Sequence, residues 1–316
     1  MRGDDLRWSL PSGLCVDLDH LFTSVFPVDT CCPMNAYPKK AVITAAGVSH
    51  RHLPVQTLTG RDGYAVSTLH LQIQDLVDAG IERIGMVVSP GSEALYREAA
   101  GSFADRLVFI EQRERMGYGH AVAQSRSFVG DDAFILMVAD HIFVSEPGQK
   151  NCVAQVIEPY LAENCPVSAV QSTHESQIRF FGTVGGEYFD ANRALFKIHR
   201  VLEKPTPTQA EQDLWVPGMR SGYYLCFFGI HVLTPVIFDY LHPLKDGGFM
   251  AFSDALQKLA AEGQYLALGM KGRRYDLENR HGLLFAQLAL ALDSKHRDEV
   301  LSGLVQLLAG ERNAIL

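Results

Sequence analysis

AFILMVAD, residues Ala133 to Asp140, is a run of seven apolar residues closed by one carboxylate. No polar residue alternates along it, so it reads as a strand buried on both faces, the pattern of a parallel sheet covered by helices on either side. Its last residue then emerges at the carboxyl edge of the sheet, where open α/β sheets bind ligands. Asp140 in that place suits a metal ligand, or it caps the next segment. Upstream of it, AVITAAG (Ala41 to Gly47), RIGMVVS (Arg83 to Ser89) and LVFIEQ (Leu107 to Gln112) read as strands. Segments of helical period separate them at Ser67 to Ala79, Ser92 to Ala100 and Gly119 to Phe128, and this alternation predicts βαβ units with four strands in one sheet by Asp140.

Downstream the pattern loosens. Val153 to Ala162 reads as a helix and Val167 to Thr173 as a strand, while FGTVGGEYF and FKIHRVLEKP predict an antiparallel excursion. YYLCFFGIHVL (Tyr223 to Leu233) is a central-strand candidate, Pro235 to Leu241 starts a helix, and Ser253 to Glu262 and Gly282 to Leu308 are helical. No repeat or linker divides this stretch, so residues 34–310 are read as a single domain with a C-terminal helical segment. Residues 1–33 carry Asp4, Asp5, Asp17, Asp19 and Asp29 around short apolar patches and lack the shape of a secretory signal. They are read as a dispensable N-terminal extension.

The 316 residues are 47% hydrophobic and 20% charged, usual values for a folded globular chain, with a formal net charge of -8. No basic run points to nucleic acid, and Gly229, His231 and Pro235 break the longest nearly uncharged stretch, Ser221 to Ile237, so no membrane partner is expected. The six cysteines form no CxxC, and no histidines form the i, i+4 pair of a zinc site, which predicts a reduced, cytoplasmic setting.

Several positions could carry chemistry. The small residues Ala45, Ala46 and Gly47 after the first strand let backbone N–H groups approach a phosphate, with Arg51 close behind, or they make a tight turn. Asp276, flanked by Arg273, Arg274 and Arg280, follows another short segment, and two carboxylates converging on one crevice can hold a hard cation between phosphate oxygens. Glu203-Lys204-Pro205 suits a polyol plus a phosphate, or is a solvated pair.

These motifs occur in the order of one family. KKAVITAAGVSHRHLP (Lys39 to Pro54), DLVDAGIERI (Asp75 to Ile84), QRERMGYGHAV (Gln112 to Val122), FVGDDAFILMVADHIF (Phe128 to Phe143), FFGTVGG (Phe180 to Gly186), VLEKP (Val201 to Pro205), LCFFGIHVL (Leu225 to Leu233) and MKGRRYDLENRHGLLFAQ (Met270 to Gln287) together resemble the bacterial UTP:glucose-1-phosphate uridylyltransferases, of the sugar-phosphate nucleotidyltransferase superfamily. The chain looks like a divergent member. The resemblance implies an α/β, Rossmann-like nucleotidyltransferase fold with a mixed, mostly parallel sheet flanked by helices. It implies transfer of a nucleotidyl group from an NTP, UTP first, to a sugar 1-phosphate, glucose 1-phosphate first, with Mg²⁺ as cofactor and pyrophosphate released. Carried over by residue, Ala45, Ala46, Gly47, Gln112 and Gly117 would hold base and ribose, and Arg51 the β and γ phosphates. Asp140 and Asp276 would hold the metal, Gly182 and Glu203 the sugar, and Lys204 the sugar phosphate, with Arg51 and Lys204 the catalytic cations. A homo-oligomer is left open.

The chain departs from the family in three places. Gly47-Val48-Ser49-His50-Arg51 stands where the family has G-x-G-[TS]-R, and Phe249 to Asp254 replaces a Glu-x-Gln-Leu-Thr-Asp segment. A Pro-Lys segment is absent from Gln56 to Ser67, where Arg61 is expected to reach a phosphate instead. The departures bear on sugar and base more than on reaction type. They also motivate the competing reading, a catalytically degenerate regulatory protein that binds a nucleotide or nucleotide sugar.

Overall fold

Side chains that alternate across a pleated strand sort the apolar runs onto two faces of one sheet. The computed structural model describes residues 36–47, 52–244 and 247–313, with backbone alone for 311–313. All of these belong to one unit, Pro33–Leu316. The expectations for residues 1–33 and for Arg51 lie outside the described residues.

The chain enters through β1 (Lys40–Ala45), then a small hairpin of β2 (Thr57–Thr59) and β3 (Ala65–Ser67). Helix α1 (Thr68–Asp78) follows, started by the Ser67 hydroxyl, which accepts the His70 N–H. Next come β4 (Arg83–Val88), α2 (Glu93–Ala100) and β5 (Leu107–Glu111). The helix expected over Gly119 to Phe128 is two short ones, α3 (Tyr118–Ala123) and α4 (Arg126–Val129). Ser125 lies at the break and donates its hydroxyl to Val122 O, competing for a helical carbonyl.

Strands β6 (Phe134–Val138) and β7 (His141–Ser145) lead to α5 (Cys152–Glu163) and β8 (Val167–His174). The antiparallel excursion is β9 (Gly182–Asp190) with β10 (Leu195–Glu203), followed by α6 (Pro207–Asp213), which a Thr206–Gln209 capping box starts. The chain ends with β11 (Tyr223–Leu233), α7 (Ile237–Tyr240), α8 (Phe252–Glu262), β12 (Leu266–Gly269), β13 (Gly272–Asp276), α9 (Gly282–Leu292) and α10 (Arg297–Asn313).

Among the described residues, nine strands form one mixed sheet in the order β5-β4-β1-β6-β11-β8-β12-β10-β9. The four strands read from the first half are parallel, and β11 joins them antiparallel to β6, as the central strand the sequence predicts. On β6, Ile135 and Met137 pack under α1, α2 and α5, whereas Phe134 and Leu136 pack under α3, α7 and α8. This two-sided burial explains why the run shows no alternation. A separate ribbon pairs β13 antiparallel to β7, and its residues Ile142 and Val144 pack with Leu277, Ala286 and Leu290 beneath α9. No helix among the described residues is long and apolar enough to cross a membrane.

The β2–β3 hairpin is tied down electrostatically. Arg61 Nε donates to Asp293 Oδ2 at 2.8 Å, and its guanidinium lies 3.9 Å from Asp75 of α1. Burial pushes the Asp75 carboxyl up to about 7, against the pull of Arg61, with Asp78 and Asp293 adding to the rise. The folded chain therefore keeps a proton that the unfolded chain loses near pH 4. Stability from this group is complete below that pH, declines as pH rises towards 7, and is flat above, an effect on the order of 4 kcal/mol at most. Asp75→Asn, which cannot ionise, is expected to raise the urea midpoint at pH 8 and to lose that advantage by pH 4. A gap of equal size at both pH values would contradict the assignment.

Candidate active site

Three strands of the parallel half deliver residues to one edge. β1 ends at Ala45 and leads into Ala46 and Gly47, β5 leads into Gln112, and β6 leads through Ala139 into Asp140. The Tyr96 hydroxyl donates to Ala45 O at 3.2 Å and the Ser89 hydroxyl to Ala46 O at 2.9 Å, so the first loop is pinned from the α2 side. Two cavities of about 390 and 480 Å³ lie along this edge and share Gly117, Tyr118, Val138 and Asp140. Together they form a two-lobed cleft with Asp140 at its waist.

The first lobe is lined by Ala45, Ala46, Gly47, Gln112, Arg115 and Gly117, among others. Gln112 is buried and its amide nitrogen is committed: Nε2 donates to Gly117 O at 3.2 Å and lies 3.0 Å from His120 Nδ1. Because a carbonyl must receive from N–H, this fixes the amide orientation and leaves Oε1 as an acceptor without a partner among the described residues. Gly117 has φ 93, a left-handed backbone that suits glycine, and nothing lies within 4 Å of where a Cβ would stand.

The second lobe holds Gly182, Glu203, Lys204, Asp276 and Glu278, together with the rings of Phe180, Phe181, Phe227, Phe249 and Phe252. A Cβ on Gly182 would come within 2.8 Å of the Phe227 ring and 3.0 Å of Glu203 Oε2, so glycine there makes room for that carboxylate. Burial raises the pKa of Glu203, with Lys204 opposing and Asp254 adding. Lys204 sits at φ 47, unusual for a residue with a Cβ, and its backbone N–H donates to Phe181 O at 3.2 Å. Its ammonium makes no ion pair among the described residues.

The acidic centre is built by the β7–β13 ribbon. Asp276 pairs with His141 in the ladder, and the Leu277 N–H donates to Asp140 O at 2.8 Å. From the other side, Gln72 Nε2 donates to Val138 O and His141 O at 3.1 and 2.6 Å, clamping the turn that carries Asp140. Burial works against the Asp140 charge, but hydrogen bonds with His141, at 2.6 Å, and with Glu278 hold its carboxyl below the usual range. Glu278 is pushed up to about 7 by burial and by the charges of Asp140 and Asp276. The described residues assemble no group of three side chains able to enclose a metal ion. Two hard carboxylates beside an open cleft nevertheless fit Mg²⁺, which keeps waters and phosphate oxygens as its other ligands.

Of the residues singled out in the sequence, Ala45, Ala46, Gly47, Gln112, Gly117, Asp140, Gly182, Glu203, Lys204 and Asp276 all line this cleft. Arg51 is outside the described residues. Arg61 lines neither lobe and is spent on Asp293 and Asp75, which corrects the expectation that it reaches a phosphate. Sequence reasoning missed Arg115, Tyr118, His231 and Glu278, although the first two lie inside the quoted QRERMGYGHAV motif.

Comparison with known proteins shows the fold and the family. The chain is 25% identical over 276 residues to a UTP–glucose-1-phosphate uridylyltransferase of Pseudomonas aeruginosa, covering 78% of this chain and 94% of the relative. It is 27% identical over 295 residues to the protein of that name from Mycoplasma pneumoniae, covering 84% and 97%. Among solved structures, a UDP-glucose pyrophosphorylase in complex with UDP-glucose superposes with TM-score 0.65 at 21% identity, covering 80% of this chain and 98% of that one. A UTP-bound UGPase from Acinetobacter baumannii gives 0.66 at 22% identity, covering 85% and 99%. These structures share the fold. The sequence profile for nucleotidyl transferases matches residues 47–277, the span that contains nearly every residue of the cleft, and on that match the chain belongs to the nucleotidyl transferase family.

Proposed function

We propose that the protein is a divergent but active uridylyltransferase, which transfers the uridylyl group of UTP to a sugar 1-phosphate, glucose 1-phosphate in the first place, and releases pyrophosphate. The observation that carries this reading is that Asp140, at the waist of the cleft, and Asp276, in its second lobe, line the same cavity, in a cleft whose two lobes differ in chemistry. The activity named for the relatives from P. aeruginosa and M. pneumoniae supports it, as do the UDP-glucose and UTP named in the solved neighbours.

The first lobe suits the nucleotide. The unspent Oε1 of Gln112 can accept the N3–H of uracil, which cytosine lacks, and the glycines leave room for the ring. Arg115, exposed on that lobe, and Arg51 would receive phosphate oxygens. Asp140 and Asp276 would hold Mg²⁺, which supplies neutralisation of the charge on the α-phosphate and the leaving pyrophosphate. In the second lobe Glu203 would accept sugar hydroxyls, and Lys204 would pair with the sugar phosphate. That phosphate is already a nucleophile, so the side chains supply alignment and charge neutralisation and no general base is needed. Residues 34–310 would form the working domain, with residues 1–33 dispensable, in a cytoplasmic setting.

A pyrophosphate-release screen of NTPs against sugar 1-phosphates with Mg²⁺ tests the reading. UTP with glucose 1-phosphate is expected to give the highest kcat/KM, and equal or better turnover with ATP or GTP would overturn the base assignment. Asp140→Asn keeps the side-chain shape but removes the charge that the cation needs. It is expected to cut Mg²⁺-dependent turnover by at least about a hundredfold while leaving the melting temperature within a few degrees. Turnover surviving in that variant would mean that the metal is held elsewhere.

A further inference from the structure

His231 lies on β11 at the wall of the second lobe, nearly buried, with the rings of Phe227 and Phe252 edge-on at 5.1 and 5.6 Å. Its Nδ1 is 2.5 Å from the Ser168 hydroxyl, and Ser168 Oγ is 2.5 Å from the hydroxyl of Tyr265. Tyr265 is wholly buried and its hydroxyl has no other partner among the described residues. Burial also drives the His231 pKa down to about 3, so the ring is neutral and carries one proton.

Where that proton sits follows from hydrogen-bond bookkeeping. A phenol has a single hydrogen to give, and leaving it unmatched in a dry interior costs free energy. Tyr265 therefore donates to Ser168 Oγ, and Ser168 donates to His231 Nδ1. The reverse arrangement would strand the phenolic hydrogen. The imidazole proton is thus on Nε2, an atom with no partner among the described residues that is not sealed from solvent. Of the other polar side chains that line the lobe, Asp140, Glu203 and Asp276 accept hydrogen bonds, Lys204 brings a full charge, and the Ser253 hydroxyl and the Glu278 carboxyl, pushed up to about 7, can donate or accept. The neutral N–H of His231 is a different kind of group on the aromatic wall.

We propose that His231 is a specificity-determining residue of the acceptor lobe: its Nε2–H, fixed in place by the Tyr265–Ser168 relay, donates to an uncharged oxygen of the sugar moiety. This inference rests on the proposed reaction and adds to it the polarity of one contact. An acceptor must present a lone pair to this wall, as a hydroxyl, ring or carbonyl oxygen does and an ammonium does not. Phe249 and Phe252 line the same lobe, and the Phe252 ring lies edge-on to the imidazole, so few other polar groups compete with this donor on its wall.

Two measurements test the proposal. Nitrogen-15 NMR of histidine-labelled protein, with the resonance assigned through His231→Gln, is expected to show a neutral Nε2–H tautomer from pH 6 to 8 and a mixture of tautomers in Tyr265→Phe. A neutral Nδ1–H form or an imidazolium in the unsubstituted protein would overturn the relay. Kinetically, a set of monodeoxy glucose 1-phosphates is compared in wild type and His231→Phe. One analogue is expected to cost the wild type about tenfold in kcat/KM, the size of a lost neutral hydrogen bond, and to cost His231→Phe nothing further. The KM for UTP should stay within about twofold in both. Tyr265→Phe, which removes only a hydroxyl, should show a weaker form of the same pattern and serves should His231→Phe fold poorly. Losses that add independently at every position in an active enzyme would overturn this role alone. A wild type that releases no pyrophosphate with any sugar 1-phosphate would instead remove the proposed reaction, and this role with it.

Discussion

The short β7–β13 ladder is the constraint on which the cleft depends. It sets Asp276 against His141 and ties the Leu277 N–H to Asp140 O, so carboxylates from distant parts of the chain open on one cavity. Side chains alternate along a strand, so a slip of one residue in this ladder would turn Asp276 to the other face and separate the pair. The register is specified from both sides. Ile142, Val144 and Leu277 are buried under α9, and Gln72 of α1 holds the carbonyls on either side of Asp140. Gln72 Oε1 is the one side-chain polar atom sealed from solvent and left without a partner among the described residues, a cost accepted while Nε2 holds two carbonyls.

Around this waist the two lobes divide the chemistry. The first is made of strand ends, small residues and a fixed amide, which suit a planar base and its phosphates. The second is made of rings, carboxylates, a left-handed lysine and a neutral imidazole, which suit a hydroxylated phosphate ester with an apolar face. Arg274 supports the second lobe from behind. It is buried deeply enough to lower its pKa to about 10, its guanidinium lies 3.6 Å from the centroid of the Phe181 ring, and it donates to Phe227 O. Two of the lobe's aromatic walls are thereby held by one cation.

What the sequence made legible follows from the range of each interaction. β6 could be read because burial on both faces leaves an uninterrupted apolar run, and α1 because Ser67 and Gly80 mark its ends. The ten described cleft residues were readable because the resemblance carries whole motifs whose spacing the fold preserves. The break between α3 and α4 was not readable from periodicity, since it rests on one hydroxyl competing for a carbonyl. Arg61 looked like a phosphate ligand because the sequence does not show that Asp293 is its neighbour. Glu278 and His231 were passed over for a related reason. Glu278 acquires its role only once β13 pairs with β7, and His231 once β11 and β8 bring Ser168 beside it. Both lie inside quoted motifs, MKGRRYDLENRHGLLFAQ and LCFFGIHVL, and Glu278 stands two residues after Asp276, but residue order alone gives neither a partner.

On the proposed reading, Asp140 and Asp276 hold one metal ion where the second lobe meets the waist of the cleft. The most direct test is a crystal structure of the protein with Mn²⁺ and a non-hydrolysable UTP analogue, in which anomalous scattering locates the ion. A peak is expected at the waist of the cleft, about 2.1 Å from a carboxylate oxygen of each aspartate, with phosphate oxygens completing its shell. A peak held by neither aspartate, or by one with the other turned into a different cavity, would contradict it.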